Sequence, residues 1–246
     1  MEMSTLCIDL GNSRAKLALF QQNNLLNFRS FEYREHDLIQ LFLKQNDFQG
    51  IAYCSVLSSS PDWFNQLIDQ KKSLRIHAGI ALPIDLSSYE TPESLGSDRI
   101  AALAGAHHLQ LKQPILVVNV GTCITFDLID EKGRFIGGNI SPGLDMRYQA
   151  MHQLTAKLPL VQATQTSGFE LGHSTQAAIE NGGMEGVVFE IEGYFFKILE
   201  NYPQLKCVLT GGSAFKLVNR LNFETFADPY LVLKGLNYIL HTHEQL

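Results

Sequence analysis

The chain has 246 residues, 45% of them hydrophobic and 18% charged, and carries a net charge of −6 at pH 7. That apolar content is enough to bury a substantial core in one large domain or two lobes. The acidic balance and the lack of a Lys/Arg run argue against a nucleic-acid partner, because phosphate backbones are gripped by clustered positive charge.

In chain order, apolar alternation predicts three strands over 5–9 (TLCID), 15–20 (AKLALF) and 25–31 (LLNFRSF). A helix follows over 36–46, a strand at 50–56, a helix near 61–70 and a strand at 73–78. After an irregular stretch, 98–111 (DRIAALAGAHHLQL) predicts a helix with Asp98 placed to cap it. Three more strands are expected at 114–120, 123–129 and 134–140. The order then repeats more loosely, with a long helix from about Ser174 to Asn201, a strand at 206–210, a helix over 213–221 and a final helix over 229–241. This pattern predicts an α/β protein with an internal duplication, divided into lobes of residues 1–112 and 113–246. No Pro/Gly/Ser-rich linker separates them.

Cys7, Cys54, Cys123 and Cys207 lie far apart, without CxxC or zinc-type spacing, and read as reduced core thiols. No signal-peptide pattern opens the chain, and no apolar segment approaches the roughly 20 residues that span a bilayer. The expectation is a cytoplasmic protein with no membrane partner.

Two short turns concentrate the polar chemistry. In the first, Gly11 allows close backbone approach, Asn12 and Ser13 add donors, and Lys16 adds positive charge. Asp9, at the end of its strand, is placed to hold a hydrated Mg²⁺, an ion that keeps several waters and takes few carboxylates. The second turn, Gly121-Thr122, lies 110 residues further on with Asp127 on the following strand. Each alone is an ordinary hairpin sequence. Together with Thr210-Gly211-Gly212 between a strand and a helix, they suggest a polyphosphate gripped by two hairpins, with an adenosine against bare backbone. No P-loop or Rossmann fingerprint is present.

The ordered series Asp9-x-Gly11-Asn12-Ser13-x-x-Lys16, Gly96-Ser97-Asp98-Arg99, Gly121-Thr122-x-x-Thr125-x-Asp127, Gly137-Gly138-x-Ile140-x-Pro142-Gly143, Gly172-His173-Ser174-Thr175 and Thr210-Gly211-Gly212 resembles the type III pantothenate kinases. The resemblance implies two ribonuclease-H-like (actin-like ATPase) lobes with a mixed sheet in each and a nucleotide cleft between them. It implies phosphorylation of the terminal hydroxyl of pantothenate by ATP, giving 4′-phosphopantothenate, the first step of coenzyme A synthesis.

By this resemblance Asp9, Leu10, Gly11, Asn12, Ser13, Arg14, Ala15, Lys16, Gly121, Thr122, Asp127, Gly211 and Gly212 bind the nucleotide. Tyr89, Gly96, Ser97, Asp98, Arg99 and Thr175 bind pantothenate. Asp98 is the general base and Arg99 holds the substrate's anionic end. The chemistry agrees, since phosphoryl transfer needs a base mainly to orient the hydroxyl and take its proton late, and a guanidinium can bind a carboxylate bidentately. The bland alternatives are a helix N-cap for Asp98 and for Thr175, and a half-exposed loop aromatic for Tyr89. The family implies a homodimer, with Thr175 arriving from the second subunit. It also implies a monovalent cation, K⁺ or NH₄⁺, at a position where this chain has Asn119 in place of aspartate. The lost negative charge makes a weaker K⁺ requirement the expectation.

Two rivals accompany this reading. Another kinase of the superfamily would use the same hairpins on a different hydroxyl or carboxylate substrate, without needing the Gly-Ser-Asp-Arg and Gly-His-Ser-Thr pair. A non-catalytic regulatory homologue would have no use for a carboxylate base. His173 beside the second of these motifs lacks a neighbour with metal-ligand spacing.

Overall fold

The computed structural model describes residues 4–162 and 169–243. It divides into two compact units, one of residues 1–111, 132–136 and 230–246, the other of residues 112–131 and 137–229.

The first unit is built on strands β1 (Ser4–Leu10), β2 (Arg14–Gln21), β3 (Asn24–Glu32), β4 (Gly50–Ser55) and β5 (Ser73–Arg75), in the order β3-β2-β1-β4-β5. The first three form an antiparallel meander, and β4 and β5 join in parallel. Central β1 is buried on both faces, which explains its unbroken apolar run before Asp9. Helices α1 (His36–Gln45) and α2 (Asp62–Gln70) supply the parallel crossovers and bury Ile39, Phe42, Trp63 and Phe64.

Helix α3 (Ser97–His108) is buried from Arg99 to Ala106. It crosses the terminal helix, which spans Leu231–His243, at a pair of glycines. A Cβ on Gly105 would strike the Leu231 carbonyl, and one on Gly235 the Ala101 carbonyl, so no side chain fits at the crossing.

The second unit repeats the plan with β6 (Ile115–Val120), β7 (Cys123–Ile129), β8 (Phe135–Pro142), β9 (Lys206–Thr210) and β10 (Thr225–Ala227), in the order β10-β9-β6-β7-β8. Read from the other edge, this is the same meander followed by two parallel strands. The duplication expected from the two hairpins is therefore present as two mixed five-stranded sheets of one topology. Helices α4 (Leu144–Gln153) and α5 (Thr175–Leu199) follow β8, and a short helix α6 (Ala214–Leu217) follows β9. The terminal helix Leu231–His243 is α7.

Three details differ from the sequence expectation. Helix α4 and strand β10 were not anticipated, and the expected helix over 213–221 is only α6 plus a 3-10 turn at Val218–Arg220. Only Leu144 and Tyr148 are buried in α4, too thin a stripe behind a Pro-Gly turn to reveal a helix. Among the described residues, no helix is long and apolar enough to cross a membrane.

Candidate active site

In the first unit the expected residues gather at the carboxyl ends of parallel strands β1 and β4, the end at which open α/β sheets place ligands. Asp9 is only 5% exposed. Lys16 on β2 pairs with it in register and donates from Nζ to Oδ2 at 3.0 Å. Cys54 on β4 is its other neighbour in the sheet and donates from Sγ to Oδ1 at 3.5 Å. Burial and the charges of Asp9 and Asp98 push the Cys54 thiol well up, so it remains a donor. Burial pulls the Lys16 ammonium down, but Asp9, by charge and hydrogen bond, with Cys54 and Asp98, outweighs it and raises the pKa.

The first turn closes on itself. The N–H of Gly11 donates to Arg14 O at 3.1 Å, and the Tyr33 hydroxyl donates to Gly11 O at 2.6 Å. Asn12 and Ser13 are exposed beyond that closure. Leu10 and Ala15 are fully buried and offer only backbone. Arg14 is turned onto β3, with Nε donating to Ser30 Oγ at 2.8 Å and Nη2 to Ser30 O at 2.8 Å.

The Gly-Ser-Asp-Arg motif forms the start of α3. Gly96 is the N-cap residue and makes no side-chain cap, so Asp98 lies in the first turn and is not the cap. A Cβ on Gly96 would come within 2.6 Å of Asp98 Oδ1, so this glycine makes room for the carboxylate. Ser97 docks the helix on β4, its Oγ accepting from Ser55 N and donating to Ser55 O, both at 3.3 Å. Arg99 is 6% exposed. Its guanidinium carbon lies 5.9 Å from the centre of the Phe135 ring, and Tyr89 packs on the same ring at 5.2 Å. Phe135 thus joins two residues that sequence reasoning paired only by resemblance. Sequence spacing does not single it out, because its link to the Tyr89 loop is a backbone contact across 50 residues, Phe135 N–H donating to Asp85 O at 2.8 Å.

In the second unit the Gly121-Thr122 turn closes by Gly121 N–H donating to Cys123 O at 3.0 Å. The turn after β8 abuts it. Gly143 N–H donates to Thr122 O at 3.0 Å, and a Cβ on Gly143 would collide with the carbonyls of Gly121 and Thr122. Asn119 pairs in register with Thr125 on β7 and Thr210 on β9, and the Thr125 hydroxyl is buried without a partner. Gly211, at φ +93°, sits against Val120 O and Asn119 Oδ1, where any side chain would clash. Gly212 has open space instead. Asp127 is fully buried deeper in the ladder, opposite Val117, and is not brought to the turn. Ser174, not Thr175, caps α5, accepting from Ala177 N at 3.2 Å, so the exposed Thr175 keeps its hydroxyl for other use.

Among the described residues no three His, Cys, Asp or Glu side chains cluster to hold a metal. The Asp9 carboxylate has lone pairs beyond those used by Lys16 and Cys54, a donor set that would suit a hydrated divalent cation.

The family model for type III pantothenate kinase matches residues 5–197. A type III pantothenate kinase of Bacteroides fragilis (strain YCH46) is 38% identical over 237 residues, covering 96% of this chain and 97% of the relative. One of Phocaeicola vulgatus is also 38% identical, covering 98% and 99%. The crystal structure of the inorganic polyphosphate/ATP-glucomannokinase of an Arthrobacter species is similar in fold, with a TM-score of 0.50, 13% identity and coverage of 99% and 100%.

Proposed function

The chain belongs to the type III pantothenate kinase family, whose members transfer a phosphoryl group from ATP to pantothenate, and we propose that Asp98 is the base of that reaction. The observation that carries this role is the placement of Asp98 at the start of α3, where its charge reaches Lys16 and Cys54 beside Asp9. The hydroxyl oxygen of pantothenate attacks the γ-phosphorus, and its proton passes to Asp98. The bond from the γ-phosphorus to the bridging oxygen breaks, and ADP departs. Because the transition state is loose, the carboxylate's main task is to aim the hydroxyl in line.

Arg99 pairs with the substrate carboxylate, while Tyr89, backed by the buried Phe135 ring, offers apolar surface to its alkyl body. Lys16 and the exposed Asn12 and Ser13 of the first unit, and Thr122 of the second, are the groups offered to the phosphates, and the open backbone at Gly212 admits the adenosine. Asp9 would hold Mg²⁺ through water, and that ion supplies charge neutralisation on the phosphate oxygens.

The outer face of α5 supports a homodimer. Ala178, Gly182, Phe189, Gly193 and Phe196 are exposed along it, and nothing lies within 4 Å of a Cβ placed on Gly182 or Gly193. Such a dimer would deliver Thr175 to the partner's substrate. The reaction and four unpaired thiols fit a cytoplasmic setting.

The test is ADP release with ATP, Mg²⁺ and pantothenate for the wild type and Asp98→Asn. Pantothenate-dependent turnover that falls by about 10²–10⁴ in the variant, with ATP still bound, is the expected result. A wild type that binds ATP but never turns over pantothenate would overturn the substrate, and an active Asp98→Asn would overturn the base.

A further inference from the structure

Helix α4 begins directly after Pro142-Gly143 and carries Arg147 one turn in. The Arg147 Nε donates to Pro142 O at 2.9 Å, and Nη2 reaches Ser141 Oγ at 3.4 Å and forms an ion pair with Glu190 on α5. One guanidinium therefore ties the Ser141–Gly143 segment to the long helix. That segment has no freedom against the Gly121-Thr122 turn, because Gly143 donates to Thr122 O and lies too close to both carbonyls for any Cβ. A second tie runs beside the first, with the Tyr148 hydroxyl donating to Glu180 O at 2.8 Å and its ring filling the space over Gly183.

We propose that Arg147 is a positioning residue for the nucleotide, holding the Gly121-Thr122 turn in register with α5 through Pro142 and Glu190. The inference rests on the reading of that turn as a phosphate site. The planar fork is what the job needs. Nε meets a carbonyl while Nη2 meets a hydroxyl and a carboxylate, and the acceptors belong to two segments, the turn after β8 and helix α5. The pair is about a quarter exposed on both sides, so its value lies in geometry more than in stability. Lysine at 147 keeps the charge toward Glu190 but cannot serve the carbonyl and the carboxylate together.

Removing the fork frees the 141–143 segment, and the phosphate turn with it. A displacement on the order of 1 Å at such a turn costs up to about 10²-fold. We expect Arg147→Ala to raise the KM for ATP and weaken nucleotide binding by about tenfold or more, with the KM for pantothenate changed less than about twofold. Arg147→Lys and Glu190→Gln should fall between it and the wild type. ATP affinity, read by calorimetry without pantothenate, separates this inference from the kinase assignment, since it stands even if the wild type fails to turn over pantothenate. Unchanged ATP affinity in folded Arg147→Ala would overturn the proposal, as would parallel losses for ATP and pantothenate that track the folded fraction. If Arg147→Ala does not fold, the ATP affinities of Arg147→Lys and Glu190→Gln decide, and wild-type values in both would overturn it.

Discussion

Gly235→Ala probes how firmly α3, and with it Asp98 and Arg99, is held. A Cβ at this position would lie 1.7 Å from the Ala101 carbonyl oxygen, where real Cβ atoms keep at least 3.0 Å, so α3 and α7 must part by about 1.3 Å. Alanine gains about 1 kcal/mol of helix propensity over glycine. Against that, overpacking a filled interior costs about 1–3 kcal/mol. A gap of roughly 1 Å also forfeits up to about half of each contact's dispersion energy along a seam that includes Leu231, Leu233 and Leu236, all buried. The net loss should be about 2–3 kcal/mol, which for a chain of this size lowers Tm by roughly 4–12 °C. Thermal unfolding followed by circular dichroism gives that number. Turnover at a temperature where the variant is folded should fall about tenfold or more, because the first turn of α3 moves with the helix. An unchanged or raised Tm would refute the close crossing and show that propensity decides at this site.

Phe189→Glu, on the exposed face of α5, should convert a dimer to monomers in light scattering and raise the KM for pantothenate if the partner's Thr175 completes the site; a dimer that persists would remove α5 as the interface. His108 stacks on Tyr238 at 4.4 Å, and burial, with Lys234 and His107 nearby, lowers its pKa. The unfolded imidazole then takes up its proton first, so stability should hold above the unfolded value of about 6.5 and decline as the pH falls toward the lower folded value. Denaturant melts across that window should flatten in His108→Phe, and an unchanged slope would count against it. Asn119 offers a carbonyl where a carboxylate would attract a cation, so replacing K⁺ by Na⁺ should slow turnover only modestly, and Asn119→Asp should steepen the dependence. A wild-type rate that collapses in Na⁺ would oppose this.

Much of the scaffold was legible because it is written in strong local patterns. The run before Asp9 alternates too little for an edge strand and ends in a polar turn, and the same grammar returns before Gly121. The site was legible as motifs but not as contacts. Asp98 and Thr175 each sit within two residues of another helix-cap position, and spacing alone does not decide which residue takes the cap; the structure gives it to Gly96 and Ser174. Cys54 read as core because its pairing with Asp9 depends on strand register across 45 residues. Arg147 was silent for a similar reason, since its partners come from a turn and from a helix 43 positions away.

The distribution of thiols gives the protein a built-in reporter. Cys7, Cys54 and Cys207 are buried, and burial pushes all three thiols up, whereas Cys123 is half-exposed next to Thr122. Thiolate is the reactive form, so a maleimide or an aromatic disulfide should modify the native chain at one position and all four only after unfolding. A fluorophore placed there would stand beside the Gly121-Thr122 turn without any engineered cysteine, and protection of that single thiol by ATP would test the proposed phosphate role of the turn.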